Sequence, residues 1–250
     1  MILFVSDLHL SRQTPELNAL FLKFLGGRAR AAEALYILGD LFEYWVGDDD
    51  IDNPNHAEVI AALRDFSDSG IPLNVMRGNR DFLLGDGFAA ATGARLLSDP
   101  YVLSTPDWQF VLAHGDALCT DDAEYQAFRA QSRSPEWQAA FLRKPLAERH
   151  AIARALRERS EAGKAEKMNR AGRADYLMDV NDGATDDFLR DHGYATFIHG
   201  HTHRPATHDH IVDGIHVERW VLADWHDEGG KPCGECLVWN GERLHREILA

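Results

Sequence analysis

The 250-residue chain predicts a layered α/β domain interrupted by a helical insertion. Three observations point there. Short apolar runs alternate with helix-periodic segments through the first third. Most of those runs end in a turn that carries Asp, Asn or His. A long central stretch is helical throughout and differs in charge from the rest.

In order, Ile2–Val5 is a short apolar strand running into Ser6-Asp7. Pro15–Leu25 has helical spacing at Leu17, Leu20, Phe21 and Phe24 and is closed by Gly26-Gly27. Ala34–Leu38 is a second strand, ending at Gly39-Asp40. Ala57–Phe66 reads as a helix with Val59, Ile60, Leu63 and Phe66 on one face. Leu73–Met76 is a third strand, ending at Gly78-Asn79. Strands alternating with helices in this way indicate βαβ units.

After a helix near Phe88, Tyr101–Leu103 and Gln109–Ala113 read as a hairpin, the second strand ending at His114-Gly115. From Asp121 to about Arg159 the pattern is helical, cut by Pro135 and Pro145 into three pieces. Strands resume at Thr196–His199, Ile211–Val212, His216–Leu222, Cys236–Trp239 and Leu244–Ile248. The expected division is a catalytic domain at 1–120 and 181–250, with a helical cap at 121–180.

Hydrophobic residues make up 45%, ordinary for a globular protein. No apolar run is long enough to span a bilayer, and no basic-then-apolar leader follows Met1, so a cytoplasmic location is expected. The net charge of −14, taken alone, argues against nucleic acid or an anionic lipid surface as a partner. The charge is uneven: residues 121–173 hold twelve Lys/Arg against eight acids, net +4, leaving −18 for the rest. Three cysteines, Cys119, Cys233 and Cys236, do not make a disulfide framework. The lone pair Cys233/Cys236 is read as structural rather than as a zinc site, and Asp48-Asp49-Asp50 as a solvated acidic loop.

The chemistry lies at the strand ends. Asp7 and His9, Asp40, Asn79, His114, and His201 with His203 each follow an apolar strand, so one edge of a sheet would gather them. Gly39, Gly78, Gly115 and Gly200 beside them permit tight turns. A carboxylate can bridge two cations, and two metals roughly 3.5–4 Å apart can share an activated hydroxide that attacks phosphorus. Imidazole, carboxylate and amide donors without thiolate suit Mn²⁺, Fe²⁺ or Zn²⁺. His199 precedes the last pair and is assigned to the core or to support behind the ligands rather than to the ligand set.

These segments, Asp7-Leu8-His9, Gly39-Asp40, Gly78-Asn79-Arg80-Asp81, His114-Gly115 and Gly200-His201-Thr202-His203, resemble the motifs of the calcineurin-like metallophosphoesterases. The resemblance implies a four-layered β-sandwich flanked by helices. It also implies that Asp7, His9, Asp40 and His203 hold one metal. Asp40, Asn79, His114 and His201 would hold the second, with Asp40 bridging.

Where many members of that family have His after the motif Asn, this chain has Arg80. An arginine stabilises an oxyanion but does not act as a general acid. The leaving group should then depart as a stable anion, as a phosphate does from a pyrophosphate. The run Gly78–Gly85, together with His114–Asp122, Tyr125–Arg129 and His199–Pro205, is similar to the UDP-2,3-diacylglucosamine pyrophosphatases of lipid A biosynthesis.

That likeness implies hydrolysis at the α-phosphorus to UMP and 2,3-diacylglucosamine 1-phosphate, with two divalent ions, usually Mn²⁺. Asp40, Asn79, Arg80 and His114 would be catalytic, and Asn79, Arg80, Asp122, Ser160, Lys164, Lys167 and His201 would contact substrate. A monomer at the cytoplasmic face of the inner membrane is expected. The cap's apolar residues (Phe141, Leu142, Leu146, Ile152 and Leu156) would either line an acyl slot or pack the insert itself, and its cations would face an anionic surface. Another dinuclear phosphoesterase, such as a nucleotide pyrophosphatase or phosphodiesterase, and an inactive scaffold of the same fold stay open as alternatives.

Overall fold

The computed structural model describes the backbone of residues 1–175 and 179–249, and the side chains of residues 1–160 and 179–249. Its first sheet is built on β1 (Ile2–Val5), β2 (Ala34–Leu38), β3 (Leu73–Met76) and β4 (Arg95–Leu97), paired in parallel. On the other side β1 pairs antiparallel with β11 (Pro232–Trp239), which also pairs with β10 (His226–Asp227) and β12 (Leu244–Leu249). The second sheet comprises β5 (Tyr101–Ser104), β6 (Gln109–Ala113), β7 (Thr196–His199), β8 (Ala206–Val212) and β9 (Ile215–Val221), in the order β5-β6-β7-β9-β8.

Strand side chains alternate between faces, so each strand feeds two cores. Leu3 and Val5 of β1, and Leu35 and Ile37 of β2, pack outward with helices α1 (Pro15–Gly26), α2 (Ala57–Asp68) and α3 (Asp86–Thr92). Phe4, Tyr36 and Leu38 point the other way and meet Phe110, Leu112 and Ile198 of the second sheet. Val111, Ala113 and Phe197 face outward again, onto α7 (Asp182–Asp191). The result is helix, sheet, sheet, helix: four layers, the expected architecture.

The elements expected in the first half all form. Helix α7 and the short strands β4 and β10 are additions. The α7 sequence is acid-rich with Gly183, a poor intrinsic helix, yet Asn181 caps it through Ala184 N–H (3.0 Å) and Leu189 anchors it to β7.

The central stretch forms α4 (Ala123–Ser132), α5 (Pro135–Leu142) and α6 (Leu146–Asp175). The breaks fall at the two prolines. Helix α6 runs well past Arg159, through a stretch rich in Ala, Glu, Lys and Arg that outweighs Gly163 and Gly172. Arg149, 2% exposed, fixes this segment to the body: Nη1 donates to Val46 O (2.6 Å) and the guanidinium pairs with Asp49. Phe141 joins the main core and stacks on Trp137.

The Asp48-Asp49-Asp50 loop is therefore not simply solvated. Asp49 meets Arg149, Asp50 meets His150 at 3.0 Å, and Asp48 accepts from Gly85 N–H, Gly87 N–H and Trp45 Nε1.

Candidate metal centre

The loops after β1, β2, β3, β6 and β7 meet at one edge where the two sheets come together. Asp7 lies in the β1 loop and is pinned there by its own backbone, Asp7 N–H donating to Gly39 O (3.1 Å). Its Oδ2 accepts from His201 N–H (2.8 Å), joining the first loop to the last. Its Oδ1 is buried with no hydrogen-bond partner. His203 Nε2 lies 3.4 Å from that oxygen and 3.2 Å from His9 Nε2.

On the other side of Asp40, His114 and His201 converge on Asn79. His114 Nε2 is 3.0 Å and His201 Nδ1 2.8 Å from Asn79 Oδ1. His114 Nδ1 donates to Leu38 O (2.9 Å), which aims Nε2 at the centre. Asp40 Oδ1 is 3.7 Å from His114 Nε2, and Asp40 Oδ2 is 4.0 Å from His9 Nε2, so the carboxylate spans the two halves. Donor atoms of Asp7, His9 and His203 lie within 4.8 Å of one another, as do those of Asp7, Asp40 and His114.

Five of these residues, Asp7, His9, Asp40, His201 and His203, have positive φ, between 48° and 69°. Non-glycine residues adopt such angles at a cost of order 1–3 kcal/mol each, and they cluster where surrounding structure imposes a functional geometry. The loops approach so closely that Gly78 and Gly200 are needed for space. A Cβ on Gly78 would fall 2.1 Å from Asp40 Oδ1, and one on Gly200 2.2 Å from Asp7 Oδ2.

Charge is finely divided. Burial lowers the His9 and His201 imidazoles to about 3. Burial acts the same way on His203 but is outweighed by the carboxylates of Asp224 and Asp7, which raise it to about 10. His114 likewise rises to about 9, Asp40 and Asp7 overcoming its burial. Burial pushes Asp40 up, while Asp7, equally buried, is pulled below the usual carboxylate range by His203. An orphaned carboxylate oxygen, imidazoles and an amide oxygen aimed at shared space, and no sulfur form a donor set that fits hard-to-borderline divalent cations.

His199 is not part of the set. It is buried, its Nδ1 bonds Gly200 O (2.8 Å), and its Nε2 meets Arg219 Nη1 (3.1 Å), so both ring nitrogens are engaged.

Arg80 N–H donates to Asp40 Oδ1 (2.8 Å), and its guanidinium lies 3.6 Å from Glu43. Glu43 also receives Arg157 of α6 at 3.0 Å and lies 3.8 Å from His9 Nδ1. Asp122 caps α4 by accepting from Tyr125 N–H (3.1 Å), and Ser160 is exposed on α6. Lys164 and Lys167 lie outside the described side chains.

Several contributors were not singled out from sequence. Asp81 ties two ligand loops, accepting from Gly78 N–H (2.8 Å) and Leu41 N–H (2.8 Å). Asp116 is fully buried and receives Tyr125 O–H (2.6 Å) and Arg129 Nε (2.9 Å), while the Tyr125 ring stacks on His201. Asp81, Asp116, Tyr125 and Arg129 sit inside the quoted runs, which was the available signal, and Glu43 lies three residues past Asp40. Arg157 was visible only as one cation among twelve.

Residues 1–205 match the family model of calcineurin-like phosphoesterases, and the chain belongs to that family, whose members act with divalent metal ions. More narrowly, it is similar to proteins named UDP-2,3-diacylglucosamine hydrolase. One from Chromobacterium violaceum is 56% identical over 228 residues, 91% of each chain. Another, from Aromatoleum aromaticum, is 52% identical, covering 96% of this chain and 93% of that one. A third, from Stenotrophomonas maltophilia, is 47% identical over 98% and 99% of the two chains.

Proposed function

We propose that this chain hydrolyses the diphosphate of UDP-2,3-diacylglucosamine at its α-phosphorus, releasing UMP and 2,3-diacylglucosamine 1-phosphate. The observation that carries this reading is the convergence of seven donors from five loops around Asp40, with Arg80 rather than an imidazole beside them. Asp7, His9, Asp40 and His203 would hold one divalent ion. Asp40, Asn79, His114 and His201 would hold the other, with Mn²⁺ as the assigned metal. When bound, such ions activate water and neutralise charge on phosphoryl oxygens.

The protein's own groups do the rest. The guanidinium of Arg80 stabilises negative charge building on the diphosphate. The departing sugar 1-phosphate is itself a stable anion, so no side chain has to hand it a proton. His114, oriented through Leu38 O, and Asn79 keep their donor atoms on the reacting side. Asp122, Ser160, Lys164, Lys167 and His201 are the assigned substrate contacts.

Residues 121–180 act in this reading as a cap over a body formed by 1–120 and 181–250. A cavity of about 780 Å³ between the two is of mixed lining: Phe82, Leu83, Leu84, Leu97 and Leu142 stand beside Asp48, Asp49, Arg77, Asp99, Arg129 and Arg133, and its apolar part is where we would place acyl chains. No helix among the described residues is long and apolar enough to cross a membrane. We assign a monomer that meets the anionic inner-membrane surface through cap cations, with no nucleic-acid partner.

A substrate panel tests the reading. Purified protein with Mn²⁺ should turn over the lipid substrate far faster than ADP-ribose, UDP-glucose or cyclic nucleotides. Faster turnover of the soluble compounds would assign it to another branch of the family.

A further inference from the structure

Beyond the catalytic edge, β10 and β11 form a narrow ribbon closed by two glycines. Glu228 N–H donates to Lys231 O (2.9 Å) and Lys231 N–H to Glu228 O (3.3 Å), which fixes a two-residue turn. Gly229 and Gly230, at φ 63° and 86°, supply the two left-handed positions such a turn requires. The pairing sets His226 opposite Cys233 and Asp227 opposite Pro232.

Directly paired residues share a face, and so do residues two apart along a strand. The register therefore projects His226, Glu228 and Cys233 from one side of the ribbon. One donor atom from each lies within 4.8 Å of the others.

This set differs in kind from the catalytic one because it contains sulfur. Cys236 does not complete it. Three residues along the same strand, Cys236 faces the other way and is buried in the core, so the C-x-x-C spacing cannot chelate here. A thiol, an imidazole and a carboxylate, partly to fully exposed, are the donors that a borderline-soft dication accepts in tetrahedral sites.

We propose that His226, Glu228 and Cys233 form a second, peripheral binding site for a zinc-class divalent cation, its fourth position open to water. On binding, the Cys233 S–H proton passes to solvent as the sulfur–metal bond forms. Thiolate and carboxylate then balance the dication, with His226 neutral. Tetrahedral bonds bring neighbouring donors to about 3.5 Å, so the present spread closes by side-chain rotation at the ribbon surface. Asp224 stands between the two centres, its Oδ2 3.7 Å from His226 Nδ1 and 3.5 Å from His203 Nδ1, where it can orient both rings.

Cobalt(II) titration of the full chain tests this, because only a thiolate ligand gives the near-ultraviolet sulfur-to-cobalt charge-transfer band and the catalytic donors include none. The wild-type protein should develop the band and bind one more equivalent than C233S or H226A. In those variants the band should vanish and affinity for that equivalent should drop about 100-fold or more, with unchanged circular dichroism. C236S should keep the band. Absence of the band from wild type at any cobalt level, its persistence in C233S, or its loss in C236S would each overturn the assignment. Cobalt absorption that remains in C233S comes from the dinuclear centre, whereas the near-ultraviolet band belongs to the Cys233 site, so failure of either is seen on its own.

Discussion

His9 Nε2 and His203 Nε2 face each other at 3.2 Å, brought together from opposite ends of the chain. Their outer nitrogens are turned to carboxylates, His9 Nδ1 toward Glu43 at 3.8 Å and His203 Nδ1 toward Asp224 at 3.5 Å. That arrangement presents both Nε2 atoms to one point. A cation there would replace the proton that otherwise has to lie between them. H9A and H203A should each lose one equivalent of bound Mn²⁺, measured by elemental analysis, and lower kcat/KM about 100-fold or more.

Removing metal should also cost stability. Chelator-treated protein should unfold at lower temperature than the same protein resupplied with Mn²⁺. A metal held at a hundred times its Kd adds about 2.7 kcal/mol when it binds only the folded chain. Calorimetry with and without Mn²⁺ measures the difference.

The hydrogen bond from Arg80 to Asp40 is made by its backbone N–H, which a side-chain substitution keeps. R80A should keep its full metal content and lose about 100-fold in kcat, the scale of one lost oxyanion-stabilising group. R80K should recover part of that loss. A fall in bound metal instead would place Arg80 in the support of the centre.

Much of this was legible in the sequence, for identifiable reasons. Strands such as Leu3–Val5 and Leu35–Leu38 are buried on both faces and therefore read as continuous apolar runs. The ligand loops were legible because each follows such a run. Helix α7 was not, since its capping by Asn181 and anchoring by Leu189 are tertiary facts. Nor could spacing reveal the positive φ of Asp7, His9 and Asp40, or that Glu43 would gather Arg80, Arg157 and His9 across three segments.

Asp116 shows what such concealed contacts contribute. It is buried two residues after His114 and accepts from Tyr125 and Arg129 of α4, tying that helix to the edge where the candidate ligands gather. D116A would leave Arg129 facing an empty, buried position and should lower unfolding free energy by about 3 kcal/mol. Y125F removes one hydrogen-bond donor and should cost about 1–3 kcal/mol. Urea denaturation of both variants checks the order.

Acid stability should depend on His56, which is 6% exposed between the Phe42 and Trp45 rings. Burial lowers its imidazole to about 4, so the unfolded chain takes up the proton first. Its contribution is complete above about pH 6.5 and is lost as pH falls toward 4, amounting to about 2 kcal/mol by pH 4.5. Urea unfolding of wild type and H56Q at pH 7 and pH 4.5 should show the wild type losing that much more.

Hydrolysis of UDP-2,3-diacylglucosamine in ¹⁸O-water with added Mn²⁺ tests the central claim most directly, with both products weighed by mass spectrometry. Attack at the α-phosphorus from the centre built on Asp40 puts the label in UMP and leaves the lipid phosphate unlabelled. Label in 2,3-diacylglucosamine 1-phosphate, or turnover that does not need the metal, would contradict it.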